Sequence, residues 1–142
     1  MIRFRMVKIT TTQFAIVGDM CGEIDEIGIE LGFNVKYSMD MRRIGVSPLL
    51  TLKSENDDKL LILELFCEFE VHPDDWQGMI TDNRLIINKD FLGNLISQSI
   101  GTLRGVLYCK TESTSYSNFV LPSVSISELV NTDAEFKLEQ LK

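Results

Sequence analysis

The sequence predicts an α+β fold in which an antiparallel sheet precedes one long helix. Between Phe33 and Arg43 large apolar residues occupy every second position, which is the alternation of a half-buried strand. From Asn88 to Ser113 apolar residues recur instead at helical spacing. A run of strands followed by a helix, without alternation of the two, indicates an α+β fold.

Three further strands are predicted: Arg3–Val17, the LLTLK segment that follows Pro48, and Leu60–Val71. Within the first strand the apolar parity changes after Met6, which predicts a bulge or bend. The polar stretch SENDDK separates the other two strands and predicts a hairpin between them. Strands joined by a hairpin are antiparallel, so the sheet is expected to be antiparallel.

Two of these strands have a face expected to lie in the core. Met39 and Met41 share the parity of Phe33 and are placed on that face. The last strand puts six residues on its apolar face: Leu61, Leu63, Leu65, Cys67, Phe69 and Val71. Its other face carries Glu64, Glu68 and Glu70, which we interpret as solvated charges on the outer side of the sheet.

The long helix has a broad apolar face and an opposite face of small and polar residues. Asn88 is a predicted N-cap, and Asp90 follows in the first turn. Gly93, Gly101 and Gly105 lie on the small face, and each costs about 1 kcal/mol relative to alanine. Either a second subunit packs closely on these glycines, or the helix merely tolerates them on a solvated face.

Apolar residues also occur in predicted loops. Ile24, Ile27 and Ile29 belong to a glycine-rich connector between Gly18 and Gly32, and a second loop, HPDDWQGMITDNR, contains Trp76, Met79 and Ile80. Such residues either fold back to close the core or form an exposed patch for a partner.

The composition bounds the kind of protein. A chain of 142 residues is expected to be one domain, spanning residues 1–142. With 21 acidic and 14 basic residues its net charge is −7, which argues against a nucleic-acid surface. Charges interrupt the MIRFRMVKIT terminus and no long apolar run is present, so no signal peptide or membrane span is expected. We expect a cytoplasmic protein whose three cysteines are buried free thiols.

No catalytic motif is found. The chain has no GxSxG, HExxH, P-loop or GxGxxG pattern in a fitting context. His72 precedes Asp74 and Asp75, and a base–carboxylate pair is conceivable there. HPDD is also ordinary turn chemistry. We expect a protein that is not an enzyme and that uses no cofactor or metal.

From its last strand onward the chain resembles the SecB export chaperones and their SecB-like relatives. The resemblance is carried by Phe69-Glu70-Val71, by the helix LGNLISQSIGTLRGVLYCKT, and by the segment from Asn118 to Leu129 with Pro122 inside it. The order of strand, helix, proline segment and short helix matches over Leu60–Val130. Two features of the family are missing: Cys67-Glu68 replaces a glycine pair, and the proline-rich bend before the helix is absent.

The resemblance implies a four-stranded antiparallel sheet with a long helix on one face and a short C-terminal helix. It implies an ATP-independent holdase that binds unfolded polypeptides and assembles as a dimer or tetramer. Clients would bind apolar grooves formed by Met20–Leu31 and Leu121–Val130. The residues expected to line these grooves are Met20, Ile24, Ile27, Ile29, Leu121, Ile126 and Leu129. Glu64 is the nearest counterpart of a contact to the translocase motor.

The sequence is therefore compatible with three functions. The first is a holdase, with or without a role in protein export. The second is an adaptor of the same fold, associated with a toxin–antitoxin system or holding one specific partner. The third is a small enzyme or ligand-binding domain, for which the surroundings of His72 would be the place to look.

Overall fold

The computed structural model describes residues 1–20 and 26–138. Four antiparallel strands form the main sheet in the order β1-β4-β3-β2, and three short strands form a second sheet in the order β5-β6-β7. The strands are β1 (Phe4–Ile16), β2 (Gly28–Ser38), β3 (Arg43–Lys53), β4 (Lys59–Val71), β5 (Ile80–Thr81), β6 (Arg84–Ile87) and β7 (Ala134–Lys137). The helices are α1 (Pro73–Gly78), α2 (Lys89–Thr111) and α3 (Ile126–Leu129). This confirms the predicted α+β class.

Strand β1 is irregular along its pairing with β4. Register shifts separate Met6 from Lys8 and Thr11 from Gln13. The first shift confirms the bulge predicted after Met6. Since a bulge bends a strand and increases its local twist, this edge of the sheet is not a regular ladder.

The β2–β3 hairpin differs from the prediction. Strand β2 begins at Gly28, inside the predicted connector, and ends at Ser38. Met39 and Met41, which were placed on the core face, belong to the turn that follows and are 38% and 49% exposed. The alternation rule holds only while the backbone stays extended, so it does not apply to these two residues.

Strand β3 also starts earlier than predicted and passes through Pro48. Val46 and Leu49, on either side of the proline, keep one common register with β4. A proline removes only its own N–H from the ladder. The strand therefore continues across Pro48, and Ile44 and Leu52 near its two ends are fully buried.

Helix α2 packs on the inner face of the sheet against β3 and β4. Its N-cap is Asn88, as predicted, whose side chain accepts a hydrogen bond of 2.8 Å from the backbone N–H of Asp90. Phe91 meets Phe4 of β1 edge-on, with ring centroids 5.1 Å apart. The apolar face of the helix and the six predicted residues of β4 form the core: Leu92, Leu95, Ile96, Ile100, Leu103, Leu107, Leu61, Leu63, Leu65, Cys67, Phe69 and Val71.

The cysteines lie in different environments. Cys67 is buried beneath α2, and this burial raises the pKa of its thiol, although a hydrogen bond with Ser99 acts in the opposite direction. Cys109 is exposed on the helix, so the prediction of burial is wrong for this residue. Cys21 lies outside the described residues.

The predicted loop HPDDWQGMITDNR is largely ordered as helix α1 and the β5–β6 hairpin. Trp76 and Met79 are 1% and 6% exposed, so they close the core. Asp82 and Asn83 both have positive φ, which is the backbone of a two-residue type I′ hairpin turn. Strand β6 then pairs with the C-terminal strand β7 on its other side.

The segment after α2 returns along the helix toward its N-terminus. At the far end, the Tyr116 hydroxyl donates to the carbonyl oxygen of Gly18, at the end of β1. Further on, the Arg104 side chain donates to the carbonyl oxygens of Leu121 and Pro122 at 2.8 and 3.2 Å. These bonds hold the segment against α2 and bring α3 to the first turns of the helix. No helix in the described part of the chain is long and apolar enough to cross a membrane.

Leu103→Ala should lower the free energy of unfolding by roughly 2–5 kcal/mol, because Leu103 is fully buried between α2 and the sheet. Ser97→Ala, on the exposed side of the same helix, is the control and should change it by less than about 0.5 kcal/mol. Denaturant titration of both variants measures the difference. Equal losses would contradict the observed orientation of the helix.

Candidate functional site

The inner face of β2 carries an apolar row that the core covers only in part. The row consists of five alternate residues: Ile29, Leu31, Phe33, Val35 and Tyr37. Ile29 is 40% exposed, and the other four are half-buried at the margin of the core. They are less covered than their β3 neighbours because α2 packs mainly on β3 and β4. We call these five residues the β2 row.

Strand β2 is also an edge of the main sheet. Its pairing with β3 is continuous from Gly28 to Ser38, without the register shifts seen in β1. Among residues 1–20 and 26–138, no strand pairs with its far side. A regular edge strand presents backbone N–H and C=O groups to any extended chain that approaches it. Backbone donors and acceptors therefore lie beside the β2 row.

The connector residues predicted to bind clients lead into this surface. The backbone N–H of Met20 donates to the Ser115 hydroxyl at 3.0 Å, which ties the connector to the loop after α2. Ile27 is half-buried against the core margin, and Ile29 is the first residue of the β2 row. Ile24 lies outside the described residues. Ile27 therefore packs on the core, whereas Ile29 is open to solvent, and the role of both as client contacts stays a prediction.

The C-terminal residues predicted to bind clients divide into two groups. Ile126 and Leu129 of α3 are half-buried and lie at the surface. Leu121 is 1% exposed, so we remove it from the predicted groove. It is buried because Arg104 holds its backbone against α2, which turns the neighbouring Val120, 59% exposed, to the outside.

A cleft of about 610 Å³ lies between α3 and the first turns of α2. Ile126 and Val130 supply its apolar wall. The α2 side is mostly polar, with Lys89, Asp90, Asn94 and Ser97. This mixed lining is less suited to unselective apolar binding than the β2 row.

The three helix glycines do not form one surface. Gly93 is buried, and a Cβ built there would lie 3.2 Å from the Cγ2 atom of Ile126. We therefore remove Gly93 from the predicted subunit interface, because α3 of the same chain already packs on it. Gly101 and Gly105 are exposed, and within the described residues a Cβ at either position would contact nothing within 4 Å.

The outer face of β4 carries the three predicted carboxylates. Glu68 pairs with Arg43 and Glu70 with Arg5, each at 3.4 Å. Glu64, the predicted translocase contact, accepts a hydrogen bond of 2.7 Å from the Thr12 hydroxyl. Of these three carboxylates, Glu64 is the one that forms no ion pair within the described residues.

His72 makes structural interactions and also lines a cavity of about 250 Å³ together with Arg3, Arg5 and Glu70. Its Nδ1 atom accepts a hydrogen bond of 3.3 Å from the backbone N–H of Asp74 and so caps α1. The Arg3 guanidinium donates to the Asp75 carboxylate at 2.9 Å and lowers the pKa of that carboxyl. In residues 1–20 and 26–138, no three His, Cys, Asp or Glu side chains are close enough to hold a metal ion.

Comparison with known proteins supports the fold. No protein-family model matches the chain, and no curated protein matches it by sequence. Among solved structures it is similar to Rv1957 of Mycobacterium tuberculosis, a SecB-like chaperone seen in complex with a ChAD peptide from the Rv1956 HigA1 antitoxin. That likeness has a TM-score of 0.52 at 13% identity and covers 87% of this chain and 91% of the other.

A protein of unknown function from Streptococcus agalactiae is also similar, with a TM-score of 0.43 at 8% identity over 88% of this chain and 99% of the other. The likeness to the SecB-like chaperone supports the SecB-like fold that the sequence predicted.

Gly93→Val should displace α3, because the larger side chain would collide with Ile126. Gly101→Val is the matched control, with the same change in helix propensity at a position that has open space. Hydrogen exchange of the backbone amides in residues 126–130 should accelerate in the first variant and not in the second. Unchanged exchange in Gly93→Val would contradict the packing described here.

Proposed function

We propose that this protein is an ATP-independent holdase that binds unfolded polypeptides along β2. The observation that carries the proposal is that the β2 row lies on a regular edge strand of the main sheet, with no described strand paired to its far side. Apolar surface gives affinity without sequence selectivity, at roughly 25 cal/mol per Å² buried. The edge adds backbone hydrogen bonds, which every polypeptide can make.

The regularity of β2 favours this edge over the opposite one. Strand β1 is also an edge and also exposes apolar side chains, including Ile9 at 49%. Its two register shifts interrupt the ladder that an added strand would need. The net charge of −7 favours the solubility of a protein with such an apolar surface.

A second candidate is an adaptor that holds one specific partner within a toxin–antitoxin system. It is favoured by the solved SecB-like chaperone, whose bound peptide comes from an antitoxin. The two functions differ in selectivity. A holdase suppresses the aggregation of unrelated denatured proteins, whereas an adaptor binds one sequence and leaves the others to aggregate.

The remaining proposals concern assembly and localisation. We place a homodimer or tetramer interface at Gly101 and Gly105, where exposed glycines leave room for a second helix. Glu64 would be a contact for a translocase motor if the protein acts in export. We also propose that the protein is cytoplasmic and is not an enzyme. A holdase of this kind requires no nucleotide, metal or catalytic group.

Ile27→Ser combined with Ile29→Ser should reduce the suppression of aggregation severalfold, because it removes apolar surface at the entrance to the β2 row. The measurement is light scattering of a chemically denatured, unrelated protein diluted into the holdase. Because Ile27 packs on the core margin, the single variant Ile29→Ser is measured beside the double variant. Ile29→Ser should also reduce suppression, and its melting temperature should change by only a few degrees, since Ile29 is 40% exposed.

The matched control is Ile16→Ser, an isoleucine of similar exposure, 38%, on the opposite edge strand. It should retain suppression. Equal loss in both variants would contradict a binding surface at β2. A collapse of stability in Ile29→Ser would instead assign Ile29 to the core.

Gly101→Leu should weaken self-association by filling the space that a second helix would occupy. Analytical ultracentrifugation over a concentration series measures the effect, with Gln98→Leu on the same exposed face as the control for added apolar surface. The same oligomer in parent and variant, or a parent that stays monomeric at high micromolar concentration, would refute this interface.

A further inference from the structure

The C-terminal strand β7 closes the second sheet with few apolar contacts. It pairs with β6 from Arg84–Lys137 to Ile87–Ala134, and Leu138 adds two hydrogen bonds to Asn83, both 2.9 Å long. The apolar residues Ala134, Phe136 and Leu138 alternate along this segment and are only half-buried against the core. We call residues 134–138 the strap.

The strand beside the strap is more deeply buried than the strap itself. Leu85 and Ile87 of β6 are fully buried, and they pair with Phe136 and Ala134 of the strap in the same small sheet. The outer side of the strap is polar, with an exposed ion pair of 3.3 Å between Arg84 and Glu135. Such exposed pairs contribute little to stability. The strap is therefore held mainly by the half-buried side chains of Phe136 and Leu138 and by a short ladder.

That aromatic residue contacts the β2 row. The ring of Phe136 lies 4.9 Å from the ring of Tyr37, at a tilt of 51°. This is the geometry of a favourable aromatic pair. Tyr37 is the last residue of the β2 row, so the strap covers one end of the proposed client surface.

We propose that the strap occupies, within its own chain, a binding site for an extended polypeptide segment with apolar residues at alternate positions and an aromatic residue at the centre. The site is the edge of β6 together with Tyr37, and the strap, reading Ala-Glu-Phe-Lys-Leu, is its resident occupant. A client segment of this pattern displaces the strap and pairs with β6 in its place. This inference rests on the proposed function and names the kind of client sequence that it selects.

The energetics make such exchange feasible. A tethered segment competes at an effective concentration of roughly millimolar, so it excludes weak ligands and yields to those that bind more tightly. A client that also reaches along the β2 row makes contacts that the strap lacks. Displacement is therefore favoured for long unfolded segments over short ones.

A labelled peptide of residues 131–138 is the direct probe. Phe136→Ala should increase its affinity for the full-length protein by about tenfold, because half-burial of a phenylalanine contributes roughly one factor of ten to an equilibrium constant. Lys137→Ala, whose side chain points outward from the strap, is the control and should bind as the parent does. Equal affinities in all three proteins, or no binding to any, would overturn the proposal.

A reversible lock gives a second test that does not loosen the fold. Ile86 and Glu135 face each other across the two strands, so Ile86→Cys combined with Glu135→Cys can form a disulfide between β6 and the strap. The oxidised protein should lose peptide binding and the reduced protein should regain it, with oxidised parent as the control for Cys109. Binding that is unchanged by oxidation would refute a displaceable strap.

The two proposals can fail separately. If the reduced protein does not suppress aggregation, the holdase function is wrong. The binding of the labelled peptide then still shows whether the strap can be displaced. If aggregation is suppressed equally by the locked and reduced proteins, the clients bind elsewhere and only the strap proposal is wrong.

Discussion

One geometric constraint shapes this molecule: a single helix covers a sheet of four strands. A helix with its side chains is about 10 Å wide, and strands are spaced by about 4.8 Å, so one helix shields about two strands. Here the shielded strands are β3 and β4, and alternate residues of β4 from Leu61 to Val71 are fully buried. The inner faces of β1 and β2 lie at the margins of the core and are only partly covered. Exposed apolar side chains such as Ile9 and Ile29 follow from this arrangement.

Much of the fold could be predicted because its signals are local. The alternation in β4, the N-cap Asn88 and the parity change after Met6 each depend on neighbouring residues and were confirmed. The hairpin at residues 39–42 was missed because Met39 and Met41 continue the parity of the strand by coincidence. The β5–β6 turn was missed although Asp82 and Asn83 are residue types that adopt positive φ readily.

The candidate site was less predictable because it depends on where distant segments return. Gly93 and Gly101 look equivalent on a helical projection, yet α3 packs on only the first of them. Leu121 and Val120 are adjacent, yet Leu121 is buried and Val120 is exposed, and Arg104, 17 residues away, holds the backbone of Leu121 by a hydrogen bond. Tyr37 and Phe136 are far apart in the sequence, and no pattern near either residue indicates that their rings are in contact.

The pairing of β1 with β4 has a consequence for how the chain folds. Hairpins join β2 to β3 and β3 to β4, so these three strands can assemble from neighbouring segments. Strand β1 must instead reach across the whole of that hairpin unit, since Phe4 pairs with Val71. Contacts that are remote in sequence form slowly because the loop must close first. During synthesis β1 therefore leaves the ribosome before its partner, and its apolar residues stay exposed to solvent until β4 has also emerged.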